Sequence, residues 1–147
     1  MKKTAKLIAL ILAMILLIAL CACKTTTPET EAAAGTYTYY AHLLDGYYVD
    51  FTDYAGRTTT LEANGGGALD WGDDNKGPIS EWTIDGEKIV IKAGVAEMDA
   101  TLKNGILSVD IGDETMPFSV IFIEEGADTS SMPVITTDEY VAKFANE

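Results

Sequence analysis

The gaps between the strand-like segments of this chain are its most constraining feature, because from Thr36 to Ile123 none can hold a crossover helix. Neighbouring strands must therefore run antiparallel. The segments are 36–44, 47–51, 57–63, 68–71, 79–84, 88–92, 96–103, 106–111 and 115–123, of which 47–51 is either a short strand or the start of a loop. In the first (TYTYYAHLL), alternation puts Tyr37, Tyr39, Ala41 and Leu43 on one face and His42 on the other. Asp45-Gly46 breaks the pattern, and Asn64 to Gly67 reads as a flexible hairpin connection. Asp85-Gly86 and Asn104-Gly105 are the dipeptides that supply the two positive φ angles of a type I′ hairpin turn.

About eight short strands joined by tight turns make a meander, and a meander this long must close or fold over to hide its edges. Leu107, Val109 and Ile111 share a face, as do Met116, Phe118, Val120 and Phe122, while Ile121 and Ile123 make the opposite face partly apolar. Tyr39 and Leu43 in the first strand are placed to pair with the last one. The expected fold is all-β: an antiparallel up-and-down meander of about eight strands forming a closed or nearly closed barrel over 36–124.

The order of a Tyr-rich first strand, then DGYYVDFTDYAGRTTTLEANGGGALDW, EWTIDGEKIVIK, MDATLKNGILSVDI and MPFSVIFIE resembles the small lipocalin-like domains of lipoproteins from Gram-positive, largely anaerobic bacteria. The resemblance runs from about Gly35 to Glu124 and rests on turn-and-strand signatures such as Trp-Thr-Ile-Asp-Gly and Lys-Asn-Gly-Ile-Leu. It implies a lipocalin-like barrel and an envelope location, and brings no catalytic residues with it. The chain lacks the Gly-x-Trp that true lipocalins carry in their first strand.

An address is written before the barrel. Lys2, Lys3 and Lys6 precede an uninterrupted apolar run of 14 residues, Leu7 to Leu20, shorter than the roughly 20 a spanning helix needs. Leu20-Cys21-Ala22-Cys23 follows, and it resembles the lipobox of bacterial lipoproteins, in which a leucine and a small residue precede a cysteine that receives a diacylglycerol and becomes the new N-terminus. A cut before Cys21 would put bulky Leu20 at the −1 position. A cut before Cys23 puts Ala22 there and Leu20 at −3, so the expectation is a cleaved signal helix over 1–22 and lipidation at Cys23. Residues 23–35, rich in Thr and Ala, read as a lipid-anchored linker, which fully extended at ~3.3 Å per residue would hold the barrel up to about 40 Å from the bilayer. The predicted location is the extracytoplasmic face of the cell membrane.

Processing at that site leaves 125 residues, all 23 acidic residues and seven of the ten basic ones, taking the net charge from −13 to −16. A domain so acidic is repelled by nucleic acid and by anionic head groups. With Cys21 removed and Cys23 alkylated, no thiol is left for a disulfide, a metal or a nucleophile. No Gly-x-Ser-x-Gly elbow is present, and Gly65-Gly66-Gly67 lacks the Gly-Lys-Ser/Thr of a phosphate loop. His42 reads as a barrel-surface histidine with no ligand set around it. The chemistry predicted is non-enzymatic, with no cofactor and no catalytic residue.

Two clusters carry what chemistry remains. Asp70, Asp73, Asp74 and Asn75 offer the oxygen ligands that Ca²⁺ prefers, but the EF-hand spacing fails and these residue types also populate ordinary turns. Aromatic residues crowd 37–54, and Trp71 and Trp82 add two indoles, so Tyr39, Trp71 and Trp82 are the candidates to line a pocket for a small apolar or sugar ligand. Residues 125–147 form a tail in which Thr137-Asp138-Glu139 caps a short helix carrying Tyr140, Val141 and Phe144, expected to close a barrel end. Two functions follow: a binding or interaction module for a small ligand or protein partner, or a structural envelope domain with a filled core.

Overall fold

The computed structural model of the protein describes residues 26–72 and 74–145. They form α1 (Pro28–Ala33), β1 (Gly35–Leu44), β2 (Tyr47–Asp50), a 3₁₀ turn (Thr52–Tyr54), β3 (Thr58–Leu61), β4 (Gly67–Asp70), β5 (Lys76–Ile79), β6 (Glu81–Asp85), β7 (Lys88–Ala93), β8 (Ala96–Lys103), β9 (Ile106–Asp110), β10 (Phe118–Ile123), β11 (Val134–Thr136) and α2 (Thr137–Phe144). The pairing order is β5-β4-β3-β1-β10-β9-β8-β7-β6, with β2 on the remaining length of β1 and β11 beside β2. The two lips of this sheet, β5 and β6, are consecutive in the chain. Ser80 between them donates its N–H to the Lys92 carbonyl at 2.9 Å. The fold is therefore an all-β, nearly closed barrel, and it closes first strand to last, with Tyr39 opposite Phe122 and Leu43 opposite Ser119.

The strand count exceeds the expected eight for physical reasons. Tyr47 to Leu61 lies along one edge of β1 as two strands, because 51–57 loops out and rejoins when the Tyr39 N–H donates to the Arg57 carbonyl at 2.8 Å. Lys76–Ile79 is a strand despite Gly77-Pro78, since it lies at the sheet's lip, where a missing proline N–H costs no ladder bond. The turns also differ in part. Asn104 and Gly105 both have positive φ, as a type I′ turn requires, and so do Asp45 and Gly46. At the third hairpin Asp85 pairs with Lys88, so the turn residues are Gly86-Glu87 and only Gly86 has positive φ. That is the pattern of a type II′ turn.

Inside, Tyr37, Leu61, Trp82, Ile89, Ile91, Leu107 and Phe122 are fully buried and form one cluster. Of the face predicted for the last strand, Phe118, Val120 and Phe122 join this core, whereas Met116 lies outside the strand and is exposed. Ile121 and its register partner Ala41 face outward yet are buried. The C-terminal tail covers that side, where Tyr40 donates its hydroxyl to the carbonyl of buried Met132 at 2.7 Å.

Both flanking segments are more ordered than a linker and a tail need be. Thr27 caps α1 by a reciprocal pair of bonds with Thr30, and Pro28 occupies the first turn. Ala33 is buried in the core and its carbonyl accepts the Tyr37 hydroxyl at 2.7 Å, so the barrel's own contacts begin before Gly35. At the other end β11 runs parallel to β2 and covers its free edge. The N-cap of α2 is Thr136, one residue before the one expected, with Glu139 closing the capping box. Tyr140 and Phe144 pack on Tyr47, and Tyr140 donates to Asp45 at 2.7 Å. The helix thus sits beside the β1–β2 hairpin. No helix among the described residues is long and apolar enough to cross a membrane.

Candidate functional site

The site begins with an error of parity in β1. Between Tyr39 and Ala41 the strand advances two residues while β10 advances one, from Phe122 to Ile121, so Tyr40 is the extra residue of a β-bulge. Beyond the bulge every side chain changes face. His42, read from the sequence as a surface residue, is 6% exposed and points inward with Tyr39, opposite Val120. Leu43, expected inside, takes the other face.

His42 enters a cage of aromatic rings. Phe51 and Tyr54 each lie 4.6 Å away, centroid to centroid, Tyr39 at 5.5 Å and Phe118 at 6.2 Å. The Tyr39 hydroxyl lies 2.9 Å from Nδ1 of His42 and accepts the Phe51 N–H at 3.0 Å. Its only other acceptor among the described residues is the Val49 carbonyl at 3.5 Å, at the limit of a hydrogen bond. Tyr39 therefore donates to Nδ1, and the neutral ring carries its proton on Nε2. Burial pushes the imidazole down to about 4, which keeps it neutral at physiological pH. Burial likewise raises the Tyr39 phenol to about 12, so it stays a donor.

Above this cage the barrel wall is open. The β8–β9 ladder runs from Lys103 opposite Ile106 to Ala100 opposite Val109 and stops there. The first residues of β8 continue paired to β7 alone, with Ala93 opposite Ala96 at the turn. On the far side β9 stays with β10, and the Ile111 and Gly112 N–H groups both donate to the Phe118 carbonyl at 3.1 Å. A Cβ at Gly112 would clash with the Met116 carbonyl and the Phe118 amide, so only glycine lets the loop fold back this tightly. The result is a portal between β8 and β9. Behind it lies a cavity of about 530 Å³ with His42, Tyr54, Trp71 and Phe118 inside and Met98 and Val120 on its walls.

Of the residues singled out from the sequence, Tyr39 and Trp71 converge here through Phe122. Trp71 stacks on that ring at 5.3 Å and Tyr39 meets its edge at 6.3 Å. Trp71 is 8% exposed, donates its indole N–H to Thr59 Oγ1 at 2.8 Å, and lines the cavity. Trp82 is elsewhere: it is 2% exposed, bonds the Glu62 carbonyl at 2.9 Å, and lines a separate depression beside α1. Tyr39 supports the floor from behind His42.

Three of the four residues of the acidic cluster, Asp70, Asp74 and Asn75, lie among the described residues. Asp70 is paired with Lys76 at 2.8 Å, Asn75 lines the portal cavity, and Asp73 lies outside the described residues. Among the described residues no three His, Cys, Asp or Glu side chains converge as metal ligands. Cys21 and Cys23 also lie outside them.

Residues that sequence reasoning passed over complete the rim: Glu97, Asp99 and Asp110, all exposed. Asp110 accepts the Ser119 hydroxyl at 2.7 Å, and Glu97 stands 3.9 Å from Lys92, whose closer partner is Glu81 at 3.1 Å. Arg57 lies over Tyr54 at 4.1 Å, outside the lining. The trace that the inward histidine leaves in the sequence is the Tyr39-Tyr40 doublet, where alternation falters. The comparison of this chain with family models, curated proteins and solved structures finds no match.

Proposed function

We propose that this chain is a lipid-anchored, extracytoplasmic binding module that takes a small amphipathic ligand through the β8–β9 portal. The observation that carries the reading is the cavity of about 530 Å³ where the ladder stops, floored by Trp71 and the caged His42. Its size falls in the ~300–1,000 Å³ range of ligand pockets, and it combines aromatic walls with a few placed polar groups. The address rests on the lipobox-like Leu20-Cys21-Ala22-Cys23 and its basic, apolar leader. Two acyl chains on Cys23 would anchor the chain stably without help from the acidic barrel.

Native mass spectrometry of the full-length protein, purified from its host in mild detergent, tests the binding reading. The expected spectrum shows a retained small molecule that denaturation releases and that an Ala96→Trp variant, with the portal obstructed, fails to hold. Bare protein in both preparations would leave the structural envelope domain as the better reading. For the anchor, Cys23→Ser should leave the chain unprocessed or free of the membrane fraction, while Cys21→Ser changes nothing. The reverse pattern would move the lipid to Cys21.

A further inference from the structure

We infer that the portal selects organic cations with an apolar or aromatic body, a reading that rests on the cavity being a binding site. Three groups of residues set this preference. The first is the rim: Glu97 and Asp99, which alternate with the inward Met98 and Ala100, and Asp110, paired with Ser119, set three carboxylates around the outer mouth, and the lining holds no lysine or arginine. The nearby cations are already engaged: Arg57 lies over Tyr54, Lys76 pairs with Asp70, and Lys92 is shared between Glu81 at 3.1 Å and Glu97 at 3.9 Å. With one shared lysine against three rim carboxylates, an ammonium there meets an excess of negative charge, and a carboxylate is repelled.

The second is the wall. Trp71, Phe118, Met98 and Val120 offer apolar surface and a polarisable thioether, which fit a ring or a branched chain. Since the Arg57 guanidinium already covers Tyr54, the deep end disfavours a cation, and the ligand enters with its uncharged end first.

The third is the floor. His42 is more than nine-tenths buried, its Nδ1 is taken by Tyr39, and Nε2 has no partner among the described residues. No unpartnered side-chain nitrogen or oxygen is sealed from solvent among those residues, so the Nε2 edge of His42 reaches the cavity it lines. A neutral donor there fits a hydroxyl or carbonyl oxygen at the inner end of the ligand. The ligand class is thus an amine with an apolar body and an acceptor oxygen opposite the charge.

Tyramine, N-acetyltyramine and 4-hydroxyphenylacetate share a phenol-bearing body and differ in charge. Isothermal titration of the full-length protein in neutral detergent should rank them tyramine, then the neutral amide, then the acid. The amine should lead the amide by roughly five- to tenfold at low salt, the sum of several exposed charge contacts. The gap should narrow as salt rises. Asp99→Asn, at an exposed position, should weaken tyramine about two- to fivefold and leave the amide unchanged. Equal or tighter binding of the acid would overturn the charge preference while leaving the portal a binding site. Binding of trilysine with no response to tyramine would overturn it too, by making the open β8 edge the site. Silence from all three probes also overturns the ligand class, and the retained-ligand spectrum above decides separately whether the portal binds anything.

Discussion

Trp82 and Trp71 are the two tryptophans of this chain, both in one buried core, both hydrogen-bonded, and they differ in the space beside them. Trp82 bonds a backbone carbonyl beside α1, is 2% exposed, and borders only the smaller depression of about 320 Å³ there. Trp71 bonds a threonine hydroxyl and keeps an edge on an open cavity. Residue type does not separate them. What covers the sheet edge does, because on the lip strand β6 the Trp82 N–H donates to the Gly65 carbonyl at 2.7 Å and α1 packs alongside, while Trp71 stands across from the point where β8 and β9 part. One core serves both, and only on the Trp71 side does it open into the larger cavity.

Three perturbations should separate these regions, in falling order of effect. Trp82→Ala empties the core beside α1 and should cost about 3–5 kcal/mol in urea unfolding, the range for removing a large buried aromatic. A loss below ~1 kcal/mol would show that region to be loosely packed. The second uses pH. The unfolded chain protonates His42 near its ordinary 6.5, whereas burial holds the folded ring down to about 4, so the unfolded state binds more protons between those values. Stability should be flat above pH 7 and fall by about 2 kcal/mol on going to pH 5, a window above the titration of the exposed carboxylates. His42→Phe should flatten that decline, and an unchanged slope would mean that the imidazole is solvated in the folded state. The third is Thr59→Val, which strands the Trp71 indole N–H inside the barrel and should cost about 1–2 kcal/mol. Its useful signature is a change in Trp71 fluorescence with none in Trp82, read from single-tryptophan backgrounds.

The sequence carried the barrel well and the cavity poorly. Short gaps, Asn104-Gly105 and the alternation of Leu107 and Val109 follow from local rules, and the closure of β1 on β10 follows from the need to hide edges. What local rules missed was nonlocal. The bulge at Tyr40 exists because β1 must serve β2, β3 and β10 at once, and it turned His42 from the surface to the core. The portal depends on where a ladder stops, which no residue of β8 announces. Residues 76–78 read locally as part of a polar turn ahead of the 79–84 segment, and the usual meaning of Gly77-Pro78 is overridden at a sheet's lip. The same nonlocality placed Tyr39 behind the site and Trp82 away from it.

The most direct test of one core that opens into the larger cavity only on the Trp71 side is to watch both indoles at once. The two indole N–H cross-peaks of the full-length protein in a ¹H–¹⁵N correlation spectrum, assigned by Trp82→Phe, should respond differently to tyramine. The Trp71 signal should shift and saturate while the Trp82 signal stays in place. A titration in which both move together, or in which only Trp82 responds, would contradict the account.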